Sequence, residues 1–301
     1  MGVQKEIWLR DIVEGFFPDD SFAAKAVNDD AFVEGGNKVH VPNAGAPAGV
    51  KKNRSKIPAE VTKRTDTDVE YPLDEYTTDP ILIPNADTVE LSYDKRQSVI
   101  RQNKQELIRQ AHEGLLVSWA PGKDNCISTT GAAKPAHLAI ATGNRKSVTV
   151  EDILKLQTKF DEEDIPQTGR YLLLDATMYT ELLSSMTNTD KIGFFQAADV
   201  KRGVVGQLYS FDVMKRSTVL RYAVAEGAVT ALATAKAATD CAAGLAWHEE
   251  SVRRALGAVK MFDESDSPTY YGDIYSFLVR CGGAVSRSDK KGVYALVGIT
   301  A

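Results

Sequence analysis

Six of the chain's 11 prolines fall between Pro42 and Pro84, in a stretch that also holds Gly35, Gly36, Gly45 and Gly49. Each proline removes a backbone donor and clashes with the preceding turn, so no helix can run through it. Short extended pieces remain, at Val39-His40-Val41, Val69-Glu70-Tyr71 and Ile81-Leu82-Ile83. A helix-free segment this long is uncommon inside a compact domain; it reads either as disordered or as an arm that a partner puts in order, and its charge pattern favours the arm. Its charges are sorted. Lys51, Lys52, Arg54, Lys56, Lys63 and Arg64 come first; Asp66, Asp68, Glu70, Asp74, Glu75 and Asp79 follow.

Beyond the arm the period changes. Ile100, Leu107, Ile108, Ala111 and Leu115 recur on one helical face. Asp94 and Gln97 form a capping-box pattern ahead of them, and Pro121-Gly122 closes the run. The spacing predicts a helix of about seven turns. A second helix is predicted from Thr149 through Ile153, Leu156 and Phe160, ending in Asp161–Asp164 before Pro166. Tyr171–Leu174 reads as a buried strand, with Asp175 capping a helix through Leu182. Gly203 and Gly206 introduce an alternating strand with Tyr209, Phe211 and Val213 on one face. Ser251 to Val259 reads as another helix. The C-terminus reads as an antiparallel hairpin of Tyr275–Cys281, a kink at Gly282-Gly283, and Val293–Ile299. The class is mixed α+β.

Composition excludes several functions. With 36 Lys and Arg against 41 Asp and Glu among 301 residues, the net charge is −5, which argues against gripping nucleic acid through a basic surface. Cys126, Cys241 and Cys281 are an odd number without a CxxC pair, so neither a disulfide framework nor a zinc knot is expected. Lys5, Glu6, Arg10 and Asp11 break the apolar stretch that a signal peptide needs. The alanine-rich run from Ala223 to Trp247 carries Glu226, Lys236 and Asp240 and is too polar to span a bilayer. A soluble, cytosolic chain without a membrane role is expected.

Catalytic patterns are thin. Thr142–Ser147 lacks the first glycine of a phosphate loop and reads as a polar surface turn. His248-Glu249-Glu250 has no second histidine four residues on, so it reads as a strand end entering a helix. The run Asp161, Glu162, Glu163, Asp164 could bind a cation, but a solvated helix end explains it better. Arg253-Arg254 reads as a charged solvent face, and His112 as a packed or half-exposed residue beside the helix stripe. No serine lies in a GxSxG elbow. No catalytic, cofactor or metal site is assigned.

In order, these elements resemble the major capsid proteins of tailed bacteriophages, the Hong Kong 97 fold. The resemblance rests on an arm (Glu6–Phe32), an extended loop (Gly35–Pro84) and a long spine helix (Asp94–Trp119). An α+β part follows, with Gly169-Arg170-Tyr171-Leu172-Leu173-Leu174-Asp175, then Gly203–Val213, then Ala246–Val252 and a closing Lys291–Leu296. Ser210 stands where many relatives have glycine. No pro-region precedes the arm, so a fused, cleaved scaffold is not expected. The family's lysine-to-asparagine cross-link is not carried over to Lys51, Lys52 or Lys56.

The resemblance implies an N-terminal arm (1–34), an extended β-hairpin loop (35–88) and a peripheral domain with the spine helix (89–165). It further implies an axial domain (166–262) and a C-terminal hairpin (263–301) returning to the peripheral domain. It implies a non-enzymatic subunit, without cofactors, that assembles with itself into hexamers and pentamers of an icosahedral shell. Portal, scaffolding and decoration proteins and non-specifically held double-stranded DNA would be its partners. Its location would be the virion, assembled in the host cytoplasm. Inter-subunit contacts are expected from Lys51, Lys52, Arg54, Lys56, Lys63, Arg64, Asp66, Asp68, Glu70, Asp74 and Glu75. Two other readings stay open: an encapsulin-like compartment shell, and a cytosolic enzyme or binding module with an unrecognised site.

Overall fold

The computed structural model of the chain describes residues 21–32, 38–45, 47–50, 52–55, 57–58, 61, 63–84, 94–196, 198–199, 203–223, 237–257 and 260–300. Its strands begin with β1 (Val27–Asn28), β2 (Lys38–Asn43), β3 (Thr67–Pro72), β4 (Asp74–Thr77) and β5 (Ile81–Pro84), before helix α1 (Asp94–Trp119). Next come β6 (Cys126–Ser128), β7 (Ala133–Pro135), β8 (Asn144–Lys146), α2 (Val150–Glu162), β9 (Arg170–Asp175), α3 (Ala176–Ser185) and α4 (Asn188–Gln196). The chain continues through β10 (Val204–Leu208), β11 (Phe211–Arg216), β12 (Leu220–Tyr222) and β13 (Cys241–His248). It ends with β14 (Val252–Leu256), β15 (Lys260–Ser267), β16 (Gly272–Val285) and β17 (Val293–Val297).

One sheet has the order β10-β11-β9-β13-β17-β6, with β12 also on β13. Its central strands β9, β13 and β17 are buried at every position. That explains their continuous apolar sequence, since a strand covered on both faces cannot alternate. One face packs against Ile153, Leu156 and Phe160 of α2 and Met178 and Leu182 of α3. The predicted caps hold: Thr149 and Asp152 form a capping box on α2, and Asp175 accepts the Met178 N–H to start α3. The other face packs Trp247 against Trp119, their ring centroids 5.7 Å apart.

The second sheet has the order β1-β14-β16-β15, with β4 and β5 also on β16. Helix α1 spans both cores. Ile100, Leu107 and Ala111 cover Phe277, Val279 and Cys281 of this sheet, while Leu115, Leu116 and Trp119 join the Trp247 core. The predicted stripe is therefore buried as read; the side chains of Asp94 and Gln97 lie outside the described residues. At about 39 Å for 26 residues, α1 is long enough to do both.

Residues 21–32 form a strap tying these layers together. Phe22 meets Trp119 edge-on, with centroids 6.0 Å apart, and the Lys25 carbonyl accepts the Trp247 indole N–H at 2.8 Å. Four residues on, buried Asp29 accepts from the Tyr71 hydroxyl at 2.8 Å and from Arg253 at 2.7 Å. Burial and the Asp29 carboxylate together push the Tyr71 pKa far above its ordinary value. The rest of the predicted arm, residues 1–20 and 33–34, lies outside the described residues.

Three expectations are corrected. The segment read as a helix from Ser251 forms a single 3-10 turn at Glu249–Ser251 and then strand β14, because β1 and β16 supply backbone partners on both sides. The C-terminal hairpin does not form: β16 pairs with β14, β15, β4 and β5, whereas β17 pairs with β13 and β6 in the other sheet. Gly282 and Gly283 make no kink in β16. A Cβ on Gly282 would stand 2.5 Å from the Pro72 carbonyl oxygen, and one on Gly283 2.4 Å from Leu115, so both glycines permit close approach. Finally, the strand read from Gly206 through Val213 is a hairpin of β10 and β11. Tyr209 and Ser210 turn it with φ of 46° and 68°, a primed turn matching the twist of the strands.

Candidate assembly surface

The proline-rich segment is a two-stranded ribbon, β2 paired with β3 from Lys38↔Pro72 to Asn43↔Thr67. Alternation gives it two different faces. Val39, Val41 and Tyr71 bury one face against Ala255. On the other, Lys38 pairs with Glu70 at 3.1 Å and His40 with Asp68 at 2.7 Å. Such exposed cross-strand pairs fix register more than they stabilise.

Residues 44–66 connect β2 to β3. Arg64 clasps Asp66 through two bonds, Nε to Oδ1 at 2.6 Å and Nη2 to Oδ2 at 2.9 Å, and the same carboxylate accepts the Gly45 N–H. These donors hold the Asp66 pKa below the ordinary carboxylate value. Gly45 is required there, because a Cβ would sit 2.1 Å from the Thr65 carbonyl oxygen. At the tip three apolar side chains stand almost fully in solvent: Val50 at 98%, Ile57 at 84% and Val61 at 97% exposure.

The charged residues named from sequence divide into two groups. Asp68 and Glu70 pair within the ribbon, with His40 and Lys38, and Asp66 pairs with Arg64 just beyond it; Glu75 pairs with Arg280 of β16 at 3.1 Å. Asp74 is exposed on β4. Lys52, Arg54 and Lys63 are exposed around the tip, while Lys51 and Lys56 lie outside the described residues. Sequence reading missed the apolar tip, although Val50, Ile57 and Val61 stand out in a run of cations. It also missed the strap's anchors, Phe22 and Asp29, which only tertiary contacts single out.

Further exposed apolar groups lie elsewhere. Phe262 lies on β15, Tyr270 and Tyr271 mark the β15–β16 turn, and Ile192 and Phe195 mark α4. Tyr209 is exposed at the β10–β11 turn.

The residues weighed for chemistry have structural partners. Arg170 of β9 pairs with Asp161, and Glu163 accepts from the Gly292 N–H and the Tyr294 hydroxyl, so the acidic run is built into the fold. His137 lies 2.8 Å from one oxygen of Asp175, whose other oxygen caps α3. That carboxylate holds the His137 pKa above its ordinary value. Arg145 of the supposed surface turn is buried and donates to the carbonyls of Thr142, Asn144, Ala238 and Asp240. Arg253 is likewise an anchor of the strap rather than a free solvent charge. The three cysteines are free thiols. Among the described residues no group of three or more His, Cys, Asp and Glu side chains could hold a metal, and no helix is long and apolar enough to cross a membrane.

No family model matches the chain, and no curated protein matches it in sequence. Solved structures do. The capsid of Ralstonia phage GP4 superposes with a TM-score of 0.66 at 12% identity, covering 92% of this chain and 87% of that one. The capsid structure of the cyanophage P-SCSP1u gives 0.62 at 16% identity, over 92% and 87% of the two chains. Mycobacterium phage Che8 gives 0.59 at 18% identity, over 91% and 90%. Nearly the whole chain therefore has the fold seen in phage capsids, the Hong Kong 97 fold that its order of elements led one to expect.

Proposed function

We propose that this chain is a major capsid protein, a structural subunit that assembles with copies of itself into the icosahedral shell of a tailed bacteriophage. The observation that carries the reading is the β2–β3 ribbon, where Val50, Ile57 and Val61 of the connecting segment are almost fully exposed among the described residues. A two-stranded ribbon is marginal by itself. Here the buried base holds it to the body, and the tip is free to meet a neighbour. The capsid fold supports the same reading. The remaining exposed apolar groups lie on other elements, as heterologous contacts require when one surface meets a different one on the next copy. Within this proposal the peripheral and axial domains, the hexamers and pentamers, and a location in the virion follow. Portal, scaffolding and decoration proteins and packaged double-stranded DNA would be its partners.

Magnitudes say which tip residues matter most. Each exposed ion pair contributes about 0–1 kcal/mol, whereas burying a valine or isoleucine contributes about 1.5–3 kcal/mol. Reversing Lys51, Lys52 and Arg54 to Glu is therefore expected to weaken assembly chiefly at low salt. Changing Val50, Ile57 and Val61 to Ser is expected to weaken it at every salt concentration. Light scattering of shell formation across salt concentrations reads both. Wild-type assembly by the serine variant would reject the tip as a contact, and unchanged low-salt assembly by the charge-reversed variant would reject its electrostatic part.

A further inference from the structure

Strand β15 ends its sheet, and among the described residues no strand pairs with its outer side. Such an edge shows unpaired N–H and C=O groups to any strand that can approach, and proteins guard against this with prolines, breaks or bulges. The opposite edge of β16 is guarded so: it is split into β4 and β5 and ends in Pro84. β15 is guarded only at its far end, where the register with β16 shifts between Glu264 and Ser267 and Asp266 takes a φ of 53°. The stretch Lys260–Glu264 remains as a regular edge.

The hydrogen-bonding groups on that edge follow from the ladder. Phe277 of β16 donates its N–H to the Thr78 hydroxyl, and its carbonyl accepts the Thr78 N–H, both at 2.9 Å and both on the side away from β15. Facing residues of antiparallel strands exchange both bonds or neither. Met261, opposite Phe277, therefore turns its N–H and C=O to the outer edge, and Asp263 two residues on does the same.

The side chains alternate. Met261 packs on the core beneath α1, while Lys260, Phe262 and Glu264 are exposed on the other face, Phe262 at 52%. That face reads cation, aromatic, anion. Turned end for end, the same strand reads anion, aromatic, cation. Set antiparallel against itself about Phe262, it brings Lys260 opposite Glu264 twice and Phe262 opposite Phe262, while Met261 and Asp263 exchange backbone bonds. Opposite charges and paired aromatics facing across strands each stabilise a pairing. A register shifted by two residues would set Phe262 against a charge instead. Self-complementarity of this kind is what a two-fold contact requires.

We propose that two copies of this chain join β15 to β15 across a two-fold axis at Phe262, so that their second sheets become one. The contact rests on the shell reading, because an edge this short needs the other contacts of a shell to hold the copies together. Unlike the ribbon tip, it meets its own surface on the neighbour.

Disulfide trapping in assembled particles of the full-length chain tests it. In this register the two Phe262 positions form a non-hydrogen-bonded pair with Cα atoms about 4.5 Å apart, within the span of a disulfide. After mild oxidation, Phe262→Cys is expected to give a dimer on non-reducing gels, above the wild-type background from Cys126, Cys241 and Cys281. Lys260→Cys combined with Glu264→Cys is expected to do the same, and it decides the matter if Phe262→Cys fails to assemble. Lys260→Cys alone is expected to stay at background, because its two copies would lie about 13 Å apart. On the Phe262→Cys chain, Lys260→Glu should slow dimer formation about fivefold, and adding Glu264→Lys should restore it by setting opposite charges opposed again. Particles that form normally but yield no dimer above background would overturn the contact and leave the shell reading standing. So would cross-linking by Lys260→Cys alone, or a charge exchange that restores nothing. A wild-type chain that forms no particles would overturn both.

Discussion

Replacing Trp247 by alanine is expected to destabilise the unassembled chain by about 3–5 kcal/mol, the range for deleting a fully buried aromatic side chain. Trp247 is completely buried and stacks between Trp119 and Tyr171, with centroids at 5.7 and 5.8 Å. It is where the seven-stranded sheet, the spine helix and the strap coincide. Its indole N–H bonds the Lys25 carbonyl, so alanine would also leave that acceptor without its donor. Trp247→Phe separates the two effects. Most packing survives, and the loss should fall to about 1–2 kcal/mol, close to one hydrogen bond plus a small void. Urea unfolding measures both. An alanine variant within about 1 kcal/mol of wild type would contradict the placement of this residue at the junction of three elements.

Arg170→Ala is expected to cost about 2–4 kcal/mol. Only 1% exposed, this side chain donates to the Pro166 and Ile165 carbonyls at 2.8 and 2.5 Å and to Asp161 at 2.7 Å. Its guanidinium also lies over the rings of Phe160 and Phe211. Removing it leaves the carbonyls of half-buried Ile165 and exposed Pro166 without this donor; a carbonyl kept from water costs about 1–3 kcal/mol, and one that water reaches costs less. Asp161 is 44% exposed at its side chain and can turn to solvent, which keeps the loss below that of a fully buried ion pair. Arg170→Lys should recover only part of it, because an ammonium lacks the planar fork that reaches several acceptors at once. Full recovery by lysine would show that charge rather than geometry sets the contribution.

The parts legible in sequence were those governed by local rules. The α1 stripe, the Thr149 and Asp175 caps and the β9 strand follow from periodicity and short-range hydrogen bonds, and each formed as read. The errors arose where a distant strand decided the outcome. Val252–Leu256 has no strong intrinsic preference, and pairing with β16 and β1 makes it a strand. Gly282-Gly283 looks like a break until Leu115 and the Pro72 carbonyl are seen pressing on it. The Tyr209-Ser210 turn lacks the usual Asn-Gly signature, so a hairpin read as one strand. Of the assembly surface, the arm and its charge order were visible. That Asp68 and Glu70 are paired across the ribbon, leaving apolar side chains at the tip, required the register of β2 on β3.

In the proposed shell, copies of the same chain cover the ribbon tip and the other exposed apolar groups. Negative-stain electron microscopy of the purified protein across a range of concentrations tests it most directly. Closed icosahedral shells of uniform diameter, lost in the Val50, Ile57 and Val61 serine variant, are the expected result. A chain that remains monomeric at every concentration, with its tip still in solvent, would contradict it.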